Sequence, residues 1–169
     1  KRPLITACLI FLLIIAALVF IGINQEQKPD SKSEKIFRQA FAAQLHINNP
    51  DSLTDISLRK ITSFSLINKE LRDIRLLEKC TNLQQLTFQH IYFPEKDKPK
   101  WMKLLAKLGI YDLKDRFVID LRPLAKLTNL QSLQLSDMPI KNIQALSGLV
   151  NLRYLWLINV PVDDLGPLR

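Results

Sequence analysis

The side chains that most often carry out catalysis are few in this chain of 169 residues. Its two histidines, His46 and His90, fall near the end of a predicted helix and at the end of a predicted strand. Cys80 lies on an apolar repeat frame, which favours a buried structural thiol over a nucleophile. The four glycines do not form a phosphate-binding loop, and no cluster of His, Cys or acidic residues suggests a metal site. The sequence therefore predicts no catalytic residues, no metal and no cofactor, and a protein that is not an enzyme.

Recognition of a partner is the chemistry that the residues do indicate. Tyr154, Trp156 and Ile158 stand where the corresponding positions earlier in the chain carry mainly Ser, Thr and Gln. Tyr and Trp are enriched among the residues that dominate binding energy. A following segment that covers these side chains is the alternative interpretation. The predicted partner-binding residues are Gln85, Thr87, Gln89, Gln134, Arg153, Tyr154, Trp156 and Ile158, with Trp101 as a separate anchor.

An apolar spacing that recurs every 22 residues from Ile61 onward must position these residues. A fixed period of this length predicts a solenoid, in which each unit buries its apolar face against its neighbours. The clearest copy consists of Leu130, Leu133, Leu135, Ile140, Ile143, Leu146 and Leu149. Within each unit, the pattern apolar-x-x-apolar-x-apolar predicts a short strand whose intervening residues point outward. The predicted outward residues are Ser63, Ser65, Ile67, Gln85, Thr87, Gln89, Ser132, Gln134, Ser136, Tyr154, Trp156 and Ile158.

The segments LRDIRLLEKCTNL (71–83), LRPLAKLTNL (121–130) and IQALSGLVNL (143–152) resemble bacterial leucine-rich repeat proteins of the internalin-type, 22-residue class. Residues 36–61 resemble the helical N-terminal cap of that class. The resemblance implies an α/β solenoid with short parallel strands on a concave face, which binds a macromolecule, commonly a protein, and has no catalytic activity.

The chain departs from that family at one position. The family often places Asn or Thr three residues after the last strand leucine, where the side chain bonds the backbone between repeats. That position here holds Lys69, Ile91, Met138 and Val160. We therefore expect other groups to carry the hydrogen bonds between coils.

Residues 4–23 form an uncharged apolar run long enough to cross a bilayer core of roughly 30 Å. Because Lys1 and Arg2 precede the run, the N-terminus is predicted to be cytoplasmic and the repeats extracytoplasmic, in a single-pass protein. A cleaved signal peptide is the alternative, but the pattern of small residues that cleavage needs is poor near residue 23. The prediction is a transmembrane signal-anchor at 1–23 and a juxtamembrane linker at 24–35.

The next segment, 36–60, is predicted to be a helical N-terminal cap. Ser33 is expected to cap a helix over about 34–46, because apolar residues share one helical face there. A second short helix is expected near Thr54, with Leu53 and Leu58 turned inward. The repeats then occupy 61–169, and since the pattern stops in the middle of a unit, more chain is expected to follow.

The repeats are interrupted once. Leu83 and Leu130 are 47 positions apart, which exceeds one period by 25 residues and places an insertion at about 94–117. Its second half has the spacing of an amphipathic helix with Trp101 on the apolar side. This helix is predicted to pack on the flank of the solenoid; the alternative is contact with the membrane surface or a partner through Trp101.

The net charge of +8 suggests affinity for acidic surfaces, although no nucleic-acid motif is present and no nucleic acid is expected. We predict a membrane-anchored module that binds a protein on its concave sheet. One alternative is a structural spacer or scaffold for a missing C-terminal effector domain. Another is a binder of an anionic cell-surface polymer or lipid at the basic insertion, through Lys96, Lys98, Lys100, Lys103 and Lys107.

Overall fold

The computed structural model describes residues 30–92, 107, 118–140, 142–162 and 164–168. Two α-helices come first, and four strands follow. The elements are α1 (Ser31–Gln44), α2 (Asp55–Leu58), β1 (Ser63–Glu70), β2 (Gln85–Tyr92), β3 (Ser132–Ser136) and β4 (Tyr154–Ile158). Short 3-10 helices span Pro50–Ser52, Arg75–Lys79, Arg122–Lys126, Gln144–Leu146 and Gly166–Leu168.

The four strands form one parallel sheet in the order β1-β2-β3-β4. Paired residues lie 22 positions apart between β1 and β2, as in Ser63 and Gln85, and between β3 and β4, as in Ser132 and Tyr154. Between β2 and β3 the offset is 47 positions, because Gln85 pairs with Ser132. The chain therefore advances by one strand per coil, as in a solenoid, and the longer connection leaves the inward and outward positions unchanged.

The apolar core lies on one side of the sheet, between the strands and the returning 3-10 helices. Leu66, Phe88 and Leu135 occupy equivalent inward positions and are buried, while Leu77 and Leu124 are buried from the opposite side. Each such side chain contributes about 1.5–3 kcal/mol on burial. The predicted frame and the parallel, solenoid-like arrangement are confirmed.

Each 3-10 helix on the return path begins with an Asx turn, in which a short side-chain oxygen accepts the N–H two residues further on. The donor–acceptor distances run from 2.6 to 3.0 Å. The pairs are Arg75 N–H with Asp73, Arg122 N–H with Asp120, Gln144 N–H with Asn142, and Gly166 N–H with Asp164. This repeated turn points the chain back toward the sheet in every coil.

Helix α1 packs its aromatic side chains against the first two strands. The Phe41 ring lies 4.5 Å from that of Phe64 in β1, and Phe37 contacts both Phe64 and Phe88. Gln44 Nε2 donates to the carbonyl oxygen of Ser63 at 2.7 Å. The helix thus covers the β1 end of the core.

The start of α1 differs from the prediction. Asp30, not Ser33, is the N-cap, and its side chain accepts the backbone N–H groups of Lys32 and Ser33. Ser33 is instead buried in the first turn, where its Oγ donates to Asp30 and accepts the N–H of Arg72 at 2.9 Å. The expected cap was wrong because both residue types suit an N-cap, and only the contact with the first coil distinguishes them.

The second predicted helix is confirmed as α2, which Thr54 caps reciprocally with Ser57 while Leu53 and Leu58 are buried. No helix in the described parts of the chain is both long and apolar enough to cross a membrane. The predicted span at 4–23 lies outside those parts. So do the first half of the predicted linker, 24–29, and, apart from Lys107, the insertion at 94–117 with Trp101. Residues 31–35 of the predicted linker instead belong to α1, which begins at Ser31.

Candidate binding surface on the outer face of the sheet

The side chains that point away from the core form three rows across the four strands, which we call the outer face. The middle row, in the register of the sheet, joins Ser65, Thr87, Gln134 and Trp156. The flanking rows are Ser63, Gln85, Ser132 and Tyr154, and Ile67, Gln89, Ser136 and Ile158. Seven of the eight predicted partner-binding residues of the repeats, all but Arg153, therefore lie on one continuous surface.

An aromatic pair stands on β4 at one end of this face. The rings of Tyr154 and Trp156 are stacked, with centroids 5.8 Å apart and an interplanar angle of 11°. The two residues remain 59% and 46% exposed, and Ile158 beside them is also exposed. An exposed aromatic pair of this kind offers a large apolar contact area with little rotamer entropy to lose.

The neighbouring strand β3 presents much shorter side chains. Ser132 and Gln134 are half-buried, while Ser136 is only 2% exposed despite its outward position. Gln134 Nε2 donates to Ser136 Oγ at 3.3 Å, which satisfies that hydroxyl. The side chains of β3 therefore project less far from the sheet than the aromatic pair on β4, and they are polar.

Polar residues follow the three rows along each strand, inside β1 and β2 and directly after β3 and β4. The residue after the outward row of each strand has a left-handed backbone, with φ between 51° and 54°: Asn68, His90, Asp137 and Asn159. Asn, Asp and His tolerate this conformation better than other side chains. His90 Nδ1 lies 3.1 Å from Asp137 Oδ2, and Asn159 Nδ2 donates to Asp137 Oδ1 at 2.9 Å.

We call these four residues the turn row. It accounts for His90, whose left-handed backbone makes it a turn residue and whose Nδ1 contacts Asp137. His46 has a similar role, since its φ of 56° ends α1 while the N–H of Ile47 donates to the carbonyl of Ala42 at 2.8 Å. Arg153 lies at the opposite end of the strands, directly before β4.

Hydrogen bonds between coils come from asparagine side chains that the sequence analysis did not assign. Asn82, Asn129 and Asn151 each donate from Nδ2 to a carbonyl of the preceding coil, at 2.8–2.9 Å, with Arg59, Thr81 and Thr128 as the respective acceptors. The expectation that other groups carry these bonds is confirmed, since Ile91 and Met138 at the usual position are buried apolar residues. The available signal was the recurring Asn directly before a framed leucine.

No reactive group is placed on the outer face. Cys80 is fully buried in the core, and burial raises the pKa of its thiol to about 12, so that little thiolate is present at neutral pH. Among the described residues, no group of three or more His, Cys, Asp or Glu side chains could hold a metal ion.

Residues 128–169 match the family model described as leucine rich repeats (2 copies). The match covers the two coils that carry β3 and β4. An internalin from Listeria monocytogenes has a similar structure, with a TM-score of 0.59 and 23% identity over 78% of this chain, which shows the shared fold. The chain covers 32% of that internalin, about a third of its length. Internalin C2 from Listeria monocytogenes also matches, with 28% identity over 78% of this chain and 67% of its own, at a TM-score of 0.33. No curated protein sequence matches the chain.

Proposed function

We propose that this chain is a binding module that recognises a protein partner through the outer, concave face of its leucine-rich repeat sheet. Such repeats generally serve as non-enzymatic interaction scaffolds. The observation that carries the proposal is the exposed, stacked pair of Tyr154 and Trp156 on an otherwise polar face. Because the strands are held in register by the sheet, residues on adjacent coils act together without a large ordering cost on binding.

The same proposal includes the setting of the module. We infer an internalin-type bacterial protein of the 22-residue class, in which α1 and α2 form the helical N-terminal cap. Residues 4–23 would hold it in a membrane as a signal-anchor, with the N-terminus cytoplasmic and the repeats outside. The support is the uncharged apolar run behind Lys1 and Arg2, together with the packing of α1 on β1.

A crosslinking pull-down in cells, with the full-length protein, tests the binding role. We expect wild type to capture a partner that the Tyr154→Ala/Trp156→Ala variant loses. Truncating a central aromatic contact typically costs 2 kcal/mol or more, about thirtyfold in affinity. Since both side chains are exposed, the substitutions leave the core intact, which the circular dichroism spectrum and the urea midpoint check.

The matched control removes exposed apolar side chains elsewhere. Ile56 and Val150 are 73% and 85% exposed and lie outside the outer face. An Ile56→Ala/Val150→Ala variant should capture the same partner as wild type. Equal capture by wild type and the aromatic variant, or loss of capture only in this control, would move the site away from the outer face.

A further inference from the structure

The twelve side chains of the outer face include no Asp, Glu, Lys, Arg or His. Nine of the twelve are Ser, Thr, Gln or Ile on β1 to β3, and the remaining three are Tyr154, Trp156 and Ile158 on β4. This is unusual in a chain in which 24% of the residues are charged and the net charge is +8. The absence of charge is therefore a property of this face and not of the molecule.

Among the described residues, Arg153 is an exposed charge directly before Tyr154, and other charges lie beyond the opposite end of the three rows or on the return side. At one end of the strands the turn row holds the pair of His90 and Asp137, 3.1 Å apart. On the return side, Asp73 contacts Arg75 at 2.5 Å, and Lys79 bridges to Asp55 at 2.8 Å. A partner that lies on the three rows contacts hydroxyls, amides and apolar or aromatic carbon, and comes beside a charge only at Arg153, next to Tyr154.

We propose that the outer face selects an uncharged polypeptide surface. Such a surface would place an apolar side chain over β3, against Tyr154 and Trp156 on β4. This proposal rests on the proposed function, because it names the chemistry of the partner that the same face binds. Neutral Ser, Thr and Gln side chains both donate and accept hydrogen bonds, so they pair with backbone amides or with neutral side chains. The short side chains of β3 leave room for the apolar group against the aromatic pair.

A charged partner surface is disfavoured by the cost of removing its water. A carboxylate or ammonium placed on the middle row, away from Arg153, loses hydration without gaining an opposite charge, which weakens binding by the penalty for an unpaired buried ion. Association without charge complementarity is also not steered over long distances, so its rate stays near about 10⁵–10⁶ M⁻¹s⁻¹. Binding should accordingly change little with salt.

The experiment selects short random peptides displayed on yeast against the full-length protein and discards those that also bind the Tyr154→Ala/Trp156→Ala variant. We expect the retained peptides to be poor in Asp, Glu, Lys and Arg and to contain Leu, Met, Phe or Trp. Their affinity should change by less than about twofold between about 0.05 M and about 0.5 M NaCl.

A second measurement places either sign of charge in the middle row, beside Trp156. Gln134→Glu and Gln134→Lys should both weaken binding of the retained peptides by about tenfold or more, because each introduces an unpaired ion at the contact. The matched control places the same two charges outside the outer face, at Val150, which is 85% exposed. Val150→Glu and Val150→Lys should bind the retained peptides within about threefold of wild type, since the substituted side chain does not meet the peptide. All four variants are compared at equal thermal stability or corrected for the folded fraction.

The outcomes separate the two proposals. Retained peptides that are strongly charged, that dissociate with salt, or that gain affinity from one sign of charge at Gln134 would overturn the uncharged-partner inference while leaving the binding face in place. If no peptide depends on Tyr154 and Trp156, the outer face is not the binding site and both proposals fail.

Discussion

Equivalent apolar positions are buried to different extents at the β1 end and the β4 end of the sheet. At the β1 end, α1 covers the core, and Phe37, Phe41 and Leu66 are buried. At the β4 end, Leu157 occupies the position equivalent to Leu66 but is only half-buried, and Leu165 is 58% exposed. The inward residues are equally apolar at both ends. Their burial therefore comes from a neighbour on each side, which is the rule for a repeat whose units contact only adjacent units.

The largest test of this comparison is a pair of core truncations. Phe41→Ala should lower the free energy of unfolding by about 4 kcal/mol, because it opens a cavity between α1 and β1. Leu157→Ala should cost roughly 1 kcal/mol, since that side chain already contacts water. Urea unfolding followed by circular dichroism measures both. Equal losses of unfolding free energy in the two variants would contradict this, because they would show that packing under α1 stabilises the fold no more than the half-buried Leu157 does.

Thiol reactivity distinguishes the same two regions in a different way. Burial raises the pKa of Cys80 to about 12, so at about pH 8 its alkylation by iodoacetamide should be slower than that of an exposed thiol by roughly a thousandfold. A Leu165→Cys thiol, at a position that is 58% exposed, should react at close to the rate of a free cysteine. Peptide mass spectrometry follows each site separately. Rapid native labelling of Cys80 would mean that its coil opens readily.

The stability that the asparagine hydrogen bonds contribute should differ modestly between Asn129 and Asn151. Asn129→Ala should cost about 1 kcal/mol, because the Thr81 carbonyl that it leaves unpaired is half-buried. Asn151→Ala should cost less, since Thr128 is exposed and its carbonyl can bond water. Thermal unfolding of both variants beside wild type decides this, and a larger loss in Asn151→Ala would contradict it.

The smallest expected effect is a pH dependence at Asp73. Burial acts to raise the pKa of this carboxyl, but hydrogen bonds from Arg75 and from the Asp30 backbone outweigh it, so the pKa lies below its ordinary value. The carboxylate therefore stabilises the fold fully above about pH 4 and loses that contribution as the pH falls further. Asp73→Asn should be less stable than wild type at neutral pH by under about 1 kcal/mol, a difference that shrinks in acid.

The contrary outcome is a stability difference between Asp73→Asn and wild type that is no smaller at about pH 2 than at about pH 7. It would show that the Asp73 carboxylate does not stabilise the junction with α1 through its hydrogen bonds with Arg75 and Asp30.

Much of the fold could be predicted from the sequence because the frame repeats. A spacing such as Leu86, Leu133 and Leu155 reports the same inward position several times, so errors at single residues do not change the register. The outward face followed directly from strand alternation. Its use in binding remains a prediction.

The parts that could not be predicted depend on contacts between residues far apart in the chain. Ser33 and Asp30 are both suitable caps, and only the bond from Arg72 to Ser33 decides between them. The burial of Ser136 likewise depends on its neighbours across the sheet and not on its own alternation. The turn row could have been found from the sequence, as Asn, His, Asp and Asn at matching positions. It was missed because a left-handed backbone produces no periodic pattern of apolar residues.

The unbroken register between β2 and β3 has a consequence for how this protein tolerates added chain. Gln85 and Ser132 pair as neighbours although 47 positions separate them, against 22 elsewhere. For a flexible connection, doubling the length adds only about 0.6 kcal/mol of loop-closure entropy, less than one buried methylene contributes. We therefore expect a foreign domain inserted between β2 and β3 to leave the pairing of Gln85 with Ser132 in place, which makes this connection a suitable point for fusing a reporter to the solenoid.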